Sequence, residues 1–441
     1  MGPVNRRRFL TTGAVTAGVL ALGAAPAVAR PAPPIEVAPL GPDFLWGVAS
    51  SGFQSEGRAP DSNWTRYIAA GKTEDPYRDS VDFYSRYRSD IALAAQLGVG
   101  VYRIGIEWAR VQPHPGAWDG NGLRYYDDVI ATIRGAGMRP MLTLDHWVYP
   151  GWEFDRGGWR RDETVADWLT YARAVVDRYA GHDPLWITFN EPAVYLMNEV
   201  RHGGIGVADI PAVQDRMAAA HNAIYDHIHS VRPGSMVSSN VAYIPTADDA
   251  VNGGFLNRIA AKLDYIGIDY YYGFSPEGVL ARFPDPTKLW TVSLQSEGIY
   301  YALDHYARRY PGMPLYIVEN GMPTENGHPR ADGSGRADLL RDTVYWLQRA
   351  AADGMNLMGY NYWSLTDNYE WGSYTPRFGL YTVDVLHDPA LTRRPTDAVA
   401  AYAAITAAGG VPGNYRPTRA PARCSVTDGL SSCIDQVTVP R

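Results

Sequence analysis

Along this chain the period of the apolar positions keeps changing. Short runs dense in β-branched and aromatic residues, such as Leu185-Trp186-Ile187 and Leu315-Tyr316-Ile317-Val318, lack polar alternation and read as strands buried on both faces. Between such runs apolar residues return every three to four positions, as on an amphipathic helix. The pattern predicts strands over 44–50, 99–106, 138–146, 184–191, 236–243, 263–271, 313–320 and 355–364, and helices over 80–97, 122–135, 162–180, 211–231 and 336–352. Asp79 or Ser80 is placed to cap the first of these helices and Gly98 to close it. Eight strands alternating with helices imply an α/β fold with a parallel sheet, closed as a (β/α)8 TIM barrel. An open doubly wound sheet is the alternative, but no Gly-rich phosphate fingerprint follows the first strand.

The barrel pattern covers residues 40–408 of 441. Ahead of it, Arg6-Arg7-Arg8-Phe9-Leu10, an Ala/Gly-rich apolar run and Ala27-Val28-Ala29 have the form of a twin-arginine signal peptide over 1–29. Residues 30–39, with Pro31-Ala32-Pro33-Pro34, read as a linker. Residues 409–441 form a tail holding both cysteines, Cys424 and Cys433, which an oxidising compartment would join. The expected location is therefore extracytoplasmic.

Net charge is −7, and −10 once residues 1–29 are removed. No basic block remains, so nucleic acid and anionic membranes are not expected partners. The 13 Trp and 30 Tyr are many for a chain of this length; part of them belongs to core and barrel packing, and planar rings also stack on sugar faces, which mildly favours a carbohydrate ligand. His227 and His229 stand two apart on a helix and so point to different faces, and no metal or cofactor is expected.

Two acids interrupt the buried runs. Glu191, in Thr188-Phe189-Asn190-Glu191-Pro192, and Glu319, in Ile317-Val318-Glu319-Asn320-Gly321, each stand where a strand ends and a breaker follows. Strand carboxyl ends form the active face of such a barrel, and these two strands, the fourth and seventh, lie across its mouth. Paired carboxyls facing each other are what cleavage of a glycosidic bond requires.

With these motifs in order, the chain resembles glycoside hydrolase family 1, the β-glucosidase and β-galactosidase family, over nearly all of residues 40–400. The resemblance is carried by Phe44-Leu45-Trp46-Gly47-Val48-Ala49-Ser50 with Gln54 and Glu56-Gly57, Tyr102-Arg103-Ile104 with Glu107-Trp108-Ala109-Arg110, and His146-Trp147 with Pro150. The two Glu motifs follow, and then Trp363 to Trp371 with Arg377-Phe378-Gly379. It implies a retaining β-glycosidase acting on a small-molecule, unphosphorylated glycoside, with Glu191 as acid/base and Glu319 as nucleophile. It further implies that Gln54, His146, Asn190 and Glu370 bind sugar hydroxyls, that Trp363 and Trp371 line the sugar site, that Tyr271 hydrogen-bonds the nucleophile, and that Arg103 supports its charge. A transglycosidase using the same two acids and a non-catalytic sugar-binding barrel are the competing readings.

The chain departs from the family pattern in places. Asp269 stands where the family usually has Asn, adding an acid near Glu319. Ala193 replaces a common aromatic, the 128-position interval from Glu191 to Glu319 is short, and the Trp371-Gly372-Ser373-Tyr374 loop is one residue tight. Together they point to an open aglycone side and an acceptor that is bulky or not a simple sugar.

Overall fold

The computed structural model describes residues 36–244, 247–271, 288–292, 294–419 and 421. Eight parallel strands close into a barrel: β1 (Leu45–Ala49), β2 (Val101–Gly105), β3 (Arg139–Asp145), β4 (Leu185–Asn190), β5 (Met236–Ala242), β6 (Ile266–Asp269), β7 (Leu315–Asn320) and β8 (Leu357–Trp363). Neighbours in sequence are neighbours in the sheet, and β8 pairs back onto β1 through Leu45↔Gly359 to Ala49↔Trp363. All eight predicted strands are present; β6 is much shorter than predicted, and its pairing with β5 is confined to Val241↔Ile268 and Ala242↔Asp269.

Strand alternation explains the two cores. Val101, Met141, Leu185, Ile187, Tyr265, Tyr316 and Val318 form one cluster, the barrel interior. Residues of opposite parity, among them Tyr102, Leu142, Trp186 and Ile317, belong to the larger cluster shared with the helices. Such uniform burial on both sides is why these strands show no polar alternation.

Helices occupy Phe83–Gln96, Gly120–Gly135, Glu163–Tyr179, Ile210–Val231 and Arg336–Ala352, where helical periodicity predicts them. The first differs at its start. The residue before it is Asp82, in a left-handed conformation (φ +52°) without a side-chain cap, and neither Asp79 nor Ser80 caps it. Both are taken by the segment carrying Gln54: Ser80 Oγ donates to the Gln54 carbonyl, and Asp79 Oδ1 accepts from Arg58 N. Gly98 follows the helix at φ +71°.

Two short antiparallel pairs, Thr324–Glu325 with Pro376–Arg377 and Tyr381–Thr382 with Arg394–Pro395, brace the loops after β7 and β8. At the boundaries, Val37 is buried and its N–H donates to Gly413 O, while Leu40 N–H donates to Gly409 O, so both edges of the predicted domain pack onto the barrel. The signal segment, most of the linker and the Cys424–Cys433 pair lie outside the described residues. No described helix is long and apolar enough to cross a membrane.

Candidate active site

Glu191 follows β4 directly and adopts φ +39°, ψ +65°, a conformation uncommon for a residue with a side chain. Its N–H donates to Asn240 O, its carbonyl accepts from Tyr195 N, and Pro192 opens the next helix at a position where no N–H is needed. Strain of this kind is held by surrounding bonds and concentrates at functional sites.

Register shifts place the neighbouring side chains. In β4 the pairing with β5 shifts between Ile187 and Asn190, so Phe189 joins the outer cluster and Asn190, not Phe189, reaches the polar mouth. β7 shifts against β8 between Ile317 and Asn320, and Glu319 pairs with Asp269 of β6. Register shifts re-aim side chains in this way beside active sites.

Arg103, fully buried on β2, ties the centre together. It donates to Glu319 Oε1, to Asn190 Oδ1 at 2.6 Å and to Thr143 Oγ1 at 2.9 Å. Glu319 Oε2 accepts from the Tyr271 hydroxyl at 2.7 Å. The nucleophile position thus has a guanidinium on one oxygen and a hydroxyl on the other, which fixes the carboxyl group in place. Burial first, then the Glu319 charge, holds the Glu191 carboxyl well above the usual carboxylate range.

The remaining predicted residues gather on the β1, β3 and β8 side. Gln54 Nε2 donates to Glu370 Oε2 and to Asn368 Oδ1, both at 3.2 Å, and Trp363 Nε1 donates to Glu370 Oε1 at 3.2 Å. Burial pushes Glu370 up to about 8. The His146 ring lies stacked near Trp363 and Trp371, with centroids 5.9 and 5.7 Å away. Burial, then Arg103, lowers His146 well below its ordinary range, leaving a neutral ring. Trp371 also stacks on Phe53 and packs against Trp147, so it is partly structural.

Among the buried groups at the mouth without a hydrogen-bond partner among the described residues are Asn190 Nδ2 and His146 Nδ1. Leaving such groups unpaired is costly, and a sugar hydroxyl would satisfy each.

Sequence reasoning missed several members. Asn240, at the end of β5, donates to Asn190 Oδ1 at 2.6 Å and also to Asp269 Oδ2. Thr143 orients Arg103, Asn368 and Ser51 orient Gln54, and buried Asp145 accepts from Trp147 N–H. Polar residues at the carboxyl ends of otherwise apolar strands, as in Ser238-Ser239-Asn240, were the available signal. Away from the mouth, His227 and His229 bond to Asp177 and Asp264. Asp248, Asp249 and His305 also lie close together, but Asn252 and Tyr306 donate to Asp248, and Arg309 pairs with Asp249.

Comparison with known proteins agrees with this geometry. The galactolipid galactosyltransferase SFR2 of Arabidopsis thaliana is 29% identical, over 76% of this chain and 60% of its own length. A rice β-glucosidase-like SFR2 is covered to 58%, so the chain spans under two thirds of these plant relatives. β-Glucosidase A of Thermotoga maritima is 28% identical over 77% of this chain and 92% of its own length. The solved structure of a β-glycosidase from Pyrococcus horikoshii superposes with a TM-score of 0.74 at 27% identity, covering 85% of this chain and 96% of that one. The sequence profile described as glycosyl hydrolase family 1 matches residues 37–245 and 280–411, and the chain belongs to that family.

Proposed function

We propose that the protein is a retaining β-glycosidase hydrolysing unphosphorylated β-glycosides by double displacement. The observation that carries this reading is the unequal environment of two carboxyls at one mouth. Glu319 is clamped by Arg103 and Tyr271, whereas at Glu191 burial and the Glu319 charge outweigh the pull of Arg103. Two acids driven apart in this way divide into nucleophile and proton donor. Glu319 attacks the anomeric carbon while Glu191 gives its proton to the departing glycosidic oxygen. Glu191 then takes a proton from water as the water oxygen displaces Glu319 from the sugar. Asn190, His146, Gln54 and Glu370 hold the glycone hydroxyls, with Trp363 beside them. The presence of Glu370, hydrogen-bonded by Gln54 and Trp363, supports a sugar without phosphate.

The test is turnover of aryl β-glycosides, with proton NMR of the first sugar released. A β-anomer supports the reading; an inverted anomer overturns it. Glu191→Ala should regain turnover of an activated substrate when azide is added, and Glu319→Gln should not.

One observation favours transfer to an acceptor other than water. Ala193 is half-buried and Met197, one helical turn on, is 63% exposed, giving an apolar strip on the helix that leaves Glu191. It suits a bulky apolar aglycone, and the Arabidopsis relative is named a galactosyltransferase. Product analysis with a long-chain alcohol present separates the outcomes: an alkyl glycoside supports transfer, and free sugar alone supports hydrolysis. For location we propose twin-arginine export. Replacing Arg7 and Arg8 by Lys should retain the precursor in the cytoplasm, as read by cell fractionation.

A further inference from the structure

We propose that Asp75, which lies outside every motif of the sugar site, is a positioning residue for that site. It clamps the turn that presents Glu370 and Trp371 and so sets where they stand relative to Gln54. This rests on the assignment of Gln54 and Glu370 as glycone ligands.

The turn needs an outside hold. Glu370 N–H donates to Ser373 O at 2.9 Å, and Ser373 N–H returns to Glu370 O at 3.3 Å. Between them Trp371 stands at φ +45° and Gly372 at φ +120°. Two successive residues at positive φ, one of them tryptophan, persist only where the surroundings over-determine the backbone. Asp75 supplies that hold from its N–H, its carbonyl and one carboxyl oxygen. Its N–H donates to Gly372 O at 2.9 Å, beside the Glu74 N–H at 3.0 Å. Its Oδ2 accepts from Tyr374 N–H at 2.7 Å and from Ser373 Oγ at 3.1 Å. Its carbonyl accepts from the Tyr369 hydroxyl at 2.8 Å. One residue thus grips the chain on both sides of Glu370 and Trp371.

The same segment grips Gln54. Asp75 lies between the helices Asn63–Ala69 and Phe83–Gln96. Further along this connection, the Tyr77 hydroxyl donates to Phe53 O and Ser80 Oγ donates to Gln54 O. Tyr77 O in turn accepts from the Tyr374 hydroxyl. Residues 75–80 are therefore a clip, with one arm on the Gln54 segment and the other on the Glu370 turn. Where the arms meet, Gln54 Nε2 donates to Glu370 Oε2 at 3.2 Å, the long end of the hydrogen-bond range. Released from Asp75, the turn relaxes toward ordinary backbone angles and carries the Glu370 carboxyl and the Trp371 ring away from Gln54.

Steady-state kinetics on an aryl β-glucoside, with calorimetric binding of the glucose-shaped iminosugar deoxynojirimycin, test the clamp. Asp75→Ala is expected to lower kcat/KM roughly tenfold, the worth of two net hydrogen bonds, chiefly through KM. Iminosugar binding weakens in parallel, and the pH profile of kcat stays in place because Glu191 and Glu319 are untouched. Asp75→Asn restores both readouts, since an amide oxygen in place of Oδ2 accepts the same two donors. In a Glu370→Ala background, Asp75→Ala costs less than about threefold, because the group it places is already gone. A purely structural Asp75 would lower the melting temperature and leave KM and binding of the folded protein unchanged. Unchanged KM and binding in Asp75→Ala, losses that multiply with those of Glu370→Ala, or a loss that persists in Asp75→Asn overturn the proposal. If Asp75→Ala does not fold, Tyr369→Phe, which deletes one hydroxyl of the clamp, goes through the same cycle under the same criteria. Iminosugar binding without turnover in the native protein removes the functional reading and leaves the clamp to be judged by binding. The absence of both removes the two together.

Discussion

Arg103 shows how much one side chain can carry. It occupies the barrel axis with no exposed surface and joins β2 to the mouth residues of β3, β4 and β7. A Met in its place fills much of the volume but strands the Glu319 carboxylate. Removing one partner of a buried ion pair costs about 3–5 kcal/mol. Arg103→Met is expected to lower the denaturant midpoint accordingly and to abolish measurable turnover, because Glu319 and Asn190 both lose the donor that orients them. Glu191 sits at the other extreme. Glu191→Ala should reduce kcat by roughly 10²–10⁴-fold on glycosides with poor leaving groups. The loss should shrink as the leaving group becomes more acidic and needs less protonation, which a series of substituted aryl glycosides measures.

At the level of elements, the approach of β7 to β8 is set by Gly321. A Cβ there would lie 1.9 Å from the Trp363 carbonyl oxygen, a backbone atom that cannot swing aside. Gly321→Ala is therefore expected to destabilise the fold by about 1–3 kcal/mol in thermal or chemical melts. It should also lower kcat/KM, since Glu319 and Trp363 stand on the two strands forced apart. A second elemental feature is the carboxyl cluster holding the short helix Gly52–Glu56 against β2. Glu107 Oε1 accepts from Phe53 N–H, and Glu56 pairs with Arg110 and Tyr126. Burial, then Glu56, pushes Glu107 up to about 8 from an ordinary 4.5. A raised carboxyl means the folded state holds its proton more tightly than the unfolded chain. The resulting stabilisation is full below pH 4.5 and is lost as pH rises through about 8. Glu107→Gln keeps the acceptor for Phe53 N–H and cannot ionise. Its melting temperature should gain on the native protein as pH rises from 5 to 8, and the difference should level off above 8.

For the whole molecule the decisive event is closure. Joining β8 to β1 leaves the barrel no exposed sheet edge. The helix Asp397–Ala408 seals that seam from outside: Tyr402 is fully buried and its hydroxyl donates to Gly47 O at 2.6 Å, while Ile405 packs beside it. A chain ending at Thr396 should lose cooperative melting and accumulate as aggregate, because β1 and β8 would then carry an uncovered apolar face. Calorimetry and sedimentation of the truncated protein check this.

Much of this architecture was legible along the chain because strands buried on both faces and helices buried on one leave different apolar periods. Those periods located all eight strands, and each acid's place between a strand and a breaker identified Glu191 and Glu319 as mouth residues. What lay beyond reach were contacts made by closure. Strict alternation would turn Phe189 inward with Ile187; a register shift sets it outside and puts Asn190 at the mouth. Asn240 and Thr143 became visible as site residues only once β5 and β3 stood beside their neighbours. Asp79 and Ser80 had the chemistry of helix caps, yet tertiary bonds to the Gln54 segment claimed both. Periodicity is a local property and survives in one dimension. Which polar groups face one another across a barrel depends on strand register, and that is settled only when the last strand meets the first.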